Sequence, residues 1–167
     1  MNKISIAIPT YFSSRFINEL LKSLISHKVV SEIVISDDSV NNTEFKKLDY
    51  ITKETLKSTG INLNIIKNTK NLGGFKNKYK CVENCSNDFI YQIDSDNIAR
   101  NKTLKFLSKL EFNKLDSSIL NVPSSIYLFE SNKYEMYLNP SKNVVYKRKS
   151  TLIDFQTVKN SLKENKK

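Results

Sequence analysis

The carboxylates Asp94 and Asp96 stand one residue apart at the end of the apolar run Phe89-Ile90-Tyr91-Gln92-Ile93. A short apolar run of this kind reads as a buried strand, with the acidic pair at its tip. In extended backbone, residues i and i+2 point the same way, which predicts that Asp94 and Asp96 converge on one spot. Two negative charges that close repel each other unless a cation, hydrogen-bond donors or a proton hold them. A hard divalent ion suits such a pair, because Mg2+ or Mn2+ takes one or two carboxylates while phosphates and waters fill its other positions. The competing reading is a polar turn, since Asp-Ser-Asp-Asn is also good turn and helix-capping chemistry.

The elements that must position this pair form a regular series. Lys3 to Pro9 alternates isoleucine with small residues and ends at proline, as a central strand closed by a turn does. After Pro9-Thr10-Tyr11, Ser13 or Ser14 can cap a helix in which Phe16, Ile17, Leu20, Leu21, Leu24 and Ile25 recur at helical spacing. A second strand, Glu32 to Ser36, runs into Asp37-Asp38-Ser39. Thr43 opens a helix carrying Phe45, Leu48, Ile51, Thr55 and Leu56 that Gly60 stops. Ile61 to Ile66 is a third strand, and the loop Asn68 to Gly74 leads into a helix expected to turn Phe75, Tyr79 and Val82 inward.

Strands alternating with helices predict an α/β fold: a mostly parallel sheet with right-handed crossovers and helices on both faces. Ligands in such sheets bind beyond the carboxyl ends of the strands, where Pro9-Thr10-Tyr11, Asp37-Asp38 and Asp94-Ser95-Asp96 all fall. After Asn97 the rhythm changes. A short helix from Thr103 to Leu110 precedes short strands near 118–122, 126–129, 134–138 and 144–146, and Asp154 to Glu164 is expected to form a last helix.

At 167 residues the chain is read as a single domain long enough to bury a core. Its two cysteines, Cys81 and Cys85, lack neighbouring ligands for a metal set, because the single histidine, His27, is remote in sequence. They are expected to be core or neutral surface thiols. With no membrane-length apolar run and no leader pattern, the expected localisation is cytoplasmic. The formal net charge is +10. From Asn139 onward eight Lys and Arg residues face only Asp154 and Glu164, so +6 sits in the tail and +4 in the rest. No nucleic-acid motif accompanies that charge, so no nucleic-acid partner is expected. The tail is left as a contact for a membrane surface or a partner chain.

Four segments in this order, Ile6-Ala7-Ile8-Pro9-Thr10-Tyr11, Ile33 to Ser39, Asn68 to Gly74 and Tyr91 to Asp96, resemble the family 2 glycosyltransferases of the GT-A fold. The resemblance covers about Lys3 to Arg100. It implies a GT-A (Rossmann-like) domain over 1–167, with a donor nucleotide-binding half at 1–100, a partial acceptor-side region at 101–153 and a basic helix or tail at 154–167. It also implies a nucleotide-sugar donor, with a UDP-sugar favoured, and a glycan or other hydroxyl acceptor. Pro9, Thr10 and Tyr11 would line the nucleotide pocket, and Asp38 would accept a hydrogen bond from the base. Asn71, Gly73 and Gly74 would lie against the donor. Asp94 would meet the ribose or sugar, and Asp96 would bind Mn2+ or Mg2+ bridging the diphosphate. The family's Arg-Asn pair is replaced here by Phe75-Lys76-Asn77-Lys78, leaving Lys76 or Lys78 as the phosphate contact.

Bottom-up, the chemistry agrees. Sugar transfer leaves a diphosphate whose growing charge a carboxylate-held metal neutralises as a Lewis acid. By resemblance, the reaction inverts the anomeric carbon and a later Asp or Glu deprotonates the acceptor. Only 71 residues follow Asp96, fewer than the family pattern places before that base, and Glu130, Glu135 and Asp154 are weak candidates. The catalytic base is therefore left unassigned and the acceptor half is expected to be incomplete. A catalytically silent nucleotide-sugar-binding module, or half of a split enzyme, is the alternative. Phosphoryl transfer onto Asp37 or Asp38 is a more distant rival.

Overall fold

A computed structural model describes residues 3–109 and, beyond them, the backbone of four short strands within 119–147. The expected alternation is present: β1 (Ile4–Thr10), α1 (Ser14–Leu24), β2 (Val30–Asp37), α2 (Asn42–Leu56), β3 (Asn62–Lys67), α3 (Gly74–Glu83), β4 (Phe89–Gln92) and α4 (Asn101–Lys109). Then come β5 (Ile119–Asn121), β6 (Ser124–Leu128), β7 (Lys133–Tyr137) and β8 (Val144–Lys147). The expected helix from Asp154 and the basic tail lie outside the described residues, as do Glu130 and Asp154.

The main sheet runs β3-β2-β1-β4-β8-β5, with β1 to β4 mutually parallel and β8 antiparallel to both β4 and β5. β6 and β7 pair separately. The chain leaves β1 for β2 on one side, and β4 returns on the other. The carboxyl end of β1 is therefore the point where strand order reverses, and a crevice opens there in such sheets.

The pleat of β1 sorts the two faces. Ile4, Ile6 and Ile8 point into a large core with Ile17, Leu20, Leu21 and Leu24 of α1, Leu48 and Leu56 of α2, and Leu104 and Leu107 of α4. Ser5 and Ala7 point the other way, where Ala7, Val34 and Ile90 meet Cys81 and Cys85. Small residues on that face let α3 lie close, but they leave no room for large side chains. This corrects the expected face of α3. Phe75 and Tyr79 are 50% and 38% exposed; the buried positions are Asn77 and Cys81, four residues apart, while Val82 packs, partly buried, against the same cluster as expected. Phe16 likewise sits at the exposed edge of α1.

Glu44 links the first two helices. It is N3 of α2, whose N-cap Asn41 accepts from the Glu44 amide at 2.9 Å. Its own carboxylate accepts from the Ser14 amide (2.7 Å) and hydroxyl (2.9 Å), supplying the start of α1 with an acceptor its own N-cap does not provide.

Both thiols are buried, as core cysteines. Burial first, and the neighbouring Cys85 second, push the Cys81 thiol far above its ordinary range, and burial pushes the Tyr91 phenol up to about 12 from 10.0. Groups held neutral in this way stabilise the fold fully below their unfolded pKa, and that stabilisation is lost as pH climbs toward the folded value. Stability is therefore expected to fall as pH rises from about 9 to 12, measured by urea unfolding across that range. At pH 8 the native chain should resist iodoacetamide at both thiols and take up two labels only once unfolded.

Candidate functional site

At the carboxyl ends of β1, β2 and β4 lies an open cleft of about 710 Å³. It gathers Pro9, Thr10, Tyr11, Asp38, Asn71, Gly73, Gly74, Asp94 and Asp96, the nine residues singled out from the sequence. Phe12, Ser13, Arg15, Phe16, Asn77, Lys78 and Ser95 complete the lining.

One wall is the β1–α1 connection. Phe12 takes φ 49°, a left-handed backbone conformation that strains a bulky residue, and its ring meets Tyr11 edge-on at 4.9 Å. Both rings are about half exposed and face the cleft. The Ser13 hydroxyl donates to the Tyr11 carbonyl (3.1 Å) and accepts from the Ser95 hydroxyl at 2.8 Å. The floor of this loop is thereby tied to the tip of β4.

The two aspartates after β2 part company. Asp37 is fully buried, accepting from the Thr10 hydroxyl across the strand pair at 3.1 Å and from the Ser39 hydroxyl at 2.6 Å. It does not line the cleft. Asp38 does, and its carboxylate accepts from the Leu72 amide (2.7 Å), the Gly73 amide (2.9 Å) and the Asn68 side chain (3.1 Å). An aspartate enclosed by the fold and another occupied by backbone donors are poor phosphoacceptors, which removes the support for phosphoryl transfer at either.

That clamp holds the Asn68–Gly74 loop against the end of β2. Gly73 has φ 79° and serves as N-cap of α3, so a glycine is required there. A Cβ on Gly73 or Gly74 would meet no atom within 4 Å, so the glycines border open space in the cleft. Beneath the loop lies a buried amide relay that the sequence reading missed. Asn77 donates to the Thr10 carbonyl (3.2 Å) and the Ser36 carbonyl (3.0 Å), and accepts from Asn68 at 3.0 Å. Lys80 in turn donates to the Asn68 carbonyl oxygen at 2.8 Å. The only signal was an Asn at an inward helix position, where polar residues persist when backbone groups need partners.

The tip of β4 departs from the extended geometry expected of it. The strand ends at Gln92, and Asp94 to Asn97 form a turn closed by the Asn97 amide on the Asp94 carbonyl at 3.1 Å. The two carboxylates therefore share the cleft but have different partners. Asp94 is paired with Lys78, whose Nζ lies 2.8 Å from Oδ1 and 3.1 Å from Oδ2. Asp96 is exposed and has no hydrogen-bond or ion-pair partner among the described residues. Lys76 is exposed and is not part of the lining.

The family model described as Glycosyl transferase family 2 matches residues 5–161. The chain belongs to this family. A relative, the poly(ribitol-phosphate) beta-N-acetylglucosaminyltransferase TarS of Staphylococcus aureus, is 31% identical over 109 residues, covering 63% of this chain. The chain spans only 18% of the length of that curated relative. The crystal structure of S. aureus TarS 1-349 in complex with UDP-GlcNAc superposes with a TM-score of 0.56 at 26% identity, covering 75% of this chain and 38% of that one. The mannosyltransferase PcManGT from Pyrobaculum calidifontis, in complex with GDP-Man and Mn2+, gives a TM-score of 0.64 over 87% of this chain and 44% of that one. At 13% identity it shows the shared GT-A fold alone.

The residues fit a divalent ion of the kind that binds with few protein ligands. No group of three or more His, Cys, Asp or Glu is close enough to hold a metal among the described residues. Asp96 offers an unpaired carboxylate facing open space, which suits an ion that completes its shell with phosphate oxygens and water. No helix among the described residues is long and apolar enough to cross a membrane.

Proposed function

We propose that the cleft binds a nucleoside-diphosphate sugar, with a UDP-sugar favoured, for inverting transfer of the sugar to the hydroxyl of a glycan or other acceptor. The observation that carries this reading is the convergence of three strand tips on one cleft with a glycine-bordered wall, two aromatic rings and the unpaired Asp96. Tyr11 and Phe12 offer flat faces to a base, and Pro9 and Thr10 form the floor beside them. Asp38 fixes the Asn71–Gly74 loop and presents its remaining acceptor capacity to the base. Asp94 faces the ribose or sugar.

Mn2+ or Mg2+ would be held by Asp96, and when bound it would supply Lewis-acid neutralisation of the departing diphosphate. TarS carries UDP-GlcNAc in its crystal structure and PcManGT carries GDP-Man with Mn2+, which supports a nucleotide-sugar donor and a divalent ion for this chain. The basic tail is proposed as the contact to a membrane surface or partner chain, and the setting is proposed to be cytoplasmic.

The test is thermal unfolding with UDP, GDP, CDP and dTDP, each with Mn2+ or with a chelator. A ligand that binds only the native state at a hundred times its Kd stabilises it by about 2.7 kcal/mol. One nucleotide raising Tm by several degrees, with metal enhancing the shift, is the expected result. No shift with any nucleotide at millimolar concentration would reject a donor site. Nucleotide binding with no metal-stimulated release of UDP from UDP-GlcNAc would favour a binding module instead.

A further inference from the structure

Outside the cleft, exposed aromatic side chains stand on α2, α3 and α4, and their surroundings differ. On α2, Tyr50 is 68% exposed among charges of both signs, Lys46, Lys47 and Lys53 with Asp49 and Glu54. On α3, Phe75 and Tyr79 stand on a helix two of whose lysines are already engaged, Lys78 by Asp94 and Lys80 by Asn68. On α4 the cations are unopposed. The stretch 97–109 holds Arg100, Lys102, Lys105 and Lys109 and no Asp or Glu, and none of the four makes an ion pair among the described residues.

Burial of Thr103, Leu104 and Leu107 fixes which side of α4 faces out. Lys102, Lys105, Phe106 and Lys109 are spaced three and four apart and share one outer stripe, with Phe106 51% exposed among the three lysines. Ile98 stands exposed before the first turn, and the neighbouring Ala99 amide is tied to the Ser23 hydroxyl of α1 at 2.9 Å. The basic stripe continues onto α1. Burial first, and the charge of Lys105 second, hold His27 below its ordinary range, which sets Lys105 near the residues that follow α1, where the exposed Lys28 comes next.

We propose that this α4 face docks on an anionic lipid surface, with the cations against headgroup phosphates and Phe106 and Ile98 entering the boundary between headgroups and acyl chains. Cations around an exposed apolar residue are the composition of a helix that lies in a membrane interface. Lysine stems are long enough to carry their charges past the ring, so ring and ammonium groups meet the bilayer at different depths. A nucleic acid would match the cations but leave Ile98 without a partner, because its outer surface is phosphate and sugar. Ile98 lies two residues after Asp96, so docking brings the rim of the cleft to the lipid surface, whatever the cleft binds.

Co-sedimentation of the full chain with vesicles of phosphatidylcholine alone, and with about one-third phosphatidylglycerol, tests this. Binding to the anionic vesicles only, weakened by salt, is expected. Each cation near such a surface contributes roughly fivefold, so Lys102→Gln, Lys105→Gln and Lys109→Gln combined should weaken binding by about 100-fold. Phe106→Ser should weaken it about tenfold through lost apolar burial, at unchanged salt sensitivity. Lys46→Gln, Lys47→Gln and Lys57→Gln combined change the net charge equally on α2 and should bind like wild type. Equal weakening by that control would mean attraction by net charge alone, and an α4 triple variant that binds like wild type would place the contact in the basic tail. Undiminished binding by Phe106→Ser would remove the insertion. Vesicle binding that is absent, while an RNA duplex is bound and then lost in the α4 triple variant, would assign the face to nucleic acid. Each of these results overturns the proposal, as does a wild-type chain that binds neither vesicles nor RNA. All the substituted side chains are exposed, and Tm without lipid verifies that each variant folds.

Discussion

Replacing Asp96 with asparagine is expected to abolish the metal-dependent part of nucleotide stabilisation and to cut metal-stimulated release of UDP from UDP-GlcNAc by about 100-fold or more. The side chain is exposed and makes no hydrogen bond or ion pair among the described residues, so the stability of the apo protein should change by no more than about the ±0.5 kcal/mol usual for such surface changes. What is lost is a charge. Asparagine retains an oxygen ligand but no negative charge, and a metal that neutralises a leaving diphosphate contributes several kcal/mol to the transition state. At about 1.4 kcal/mol per tenfold, a loss of about 3 kcal/mol gives the stated factor. Thermal shifts with UDP in Mn2+ and in chelator, paired with a UDP-release assay, check both halves. A variant that keeps a full Mn2+-dependent shift would place the metal elsewhere, with Asp94 the next candidate and its Lys78 pair then broken on binding.

The sequence showed where the tips would be but not what each carboxylate does there. Strands β1, β2 and β4 were legible because strands buried on both faces are mostly apolar, so their polar carboxyl tips stand out. The pleat alternates sides but does not say which neighbours lie on each side. Asp37 and Asp38 are adjacent and chemically alike, yet one is spent on Thr10 and Ser39 inside the fold and the other on the Asn68–Gly74 loop. That division depends on β3 lying beside β2, a contact between residues about thirty positions apart. The face of α3 was misjudged for a related reason. Aromatic spacing suggested a greasy inner face, whereas the small residues of β1 admit only Asn77, Cys81 and their like. The extended geometry assumed for Asp94 and Asp96 failed because Ser95 and Asp96 turn immediately after β4. Lys78, one of two lysines offered as phosphate contacts, was distinguished from Lys76 only by the side of α3 on which it projects.

Loss of the Asp38 carboxylate should damage both stability and ligand binding, because one side chain carries the connection between them. Asp38→Ala leaves the Leu72 amide without its acceptor and takes one acceptor each from the Gly73 amide, which keeps the Asn71 side chain, and from the Asn68 side chain, which keeps Asn77 and Ser36. Hydrogen bonds to a charged group are worth about 1.5 to 3 kcal/mol each. Gly73 and Asn68 are thus resatisfied in part by their remaining partners, and the half-buried Leu72 amide loses most. A net loss of about 2 to 3 kcal/mol is therefore expected, a Tm fall of roughly 5 to 10 °C for a domain of this size. Asp38→Asn should fall between wild type and alanine. It keeps one acceptor oxygen but must turn an NH2 group toward a donor, either the Gly73 amide or Asn68. Amide hydrogen exchange should quicken over residues 68–74 in both variants while the strands β1 and β2 keep their protection, since the clamp is local. UDP affinity should drop by at least tenfold even at temperatures where the variant is fully folded, because the glycine wall is no longer held in place before the ligand arrives. An Asp38→Ala protein with a loosened loop but undiminished UDP affinity would separate the two roles, leaving Asp38 as a fastening of the fold and shifting base recognition onto Tyr11 and Phe12.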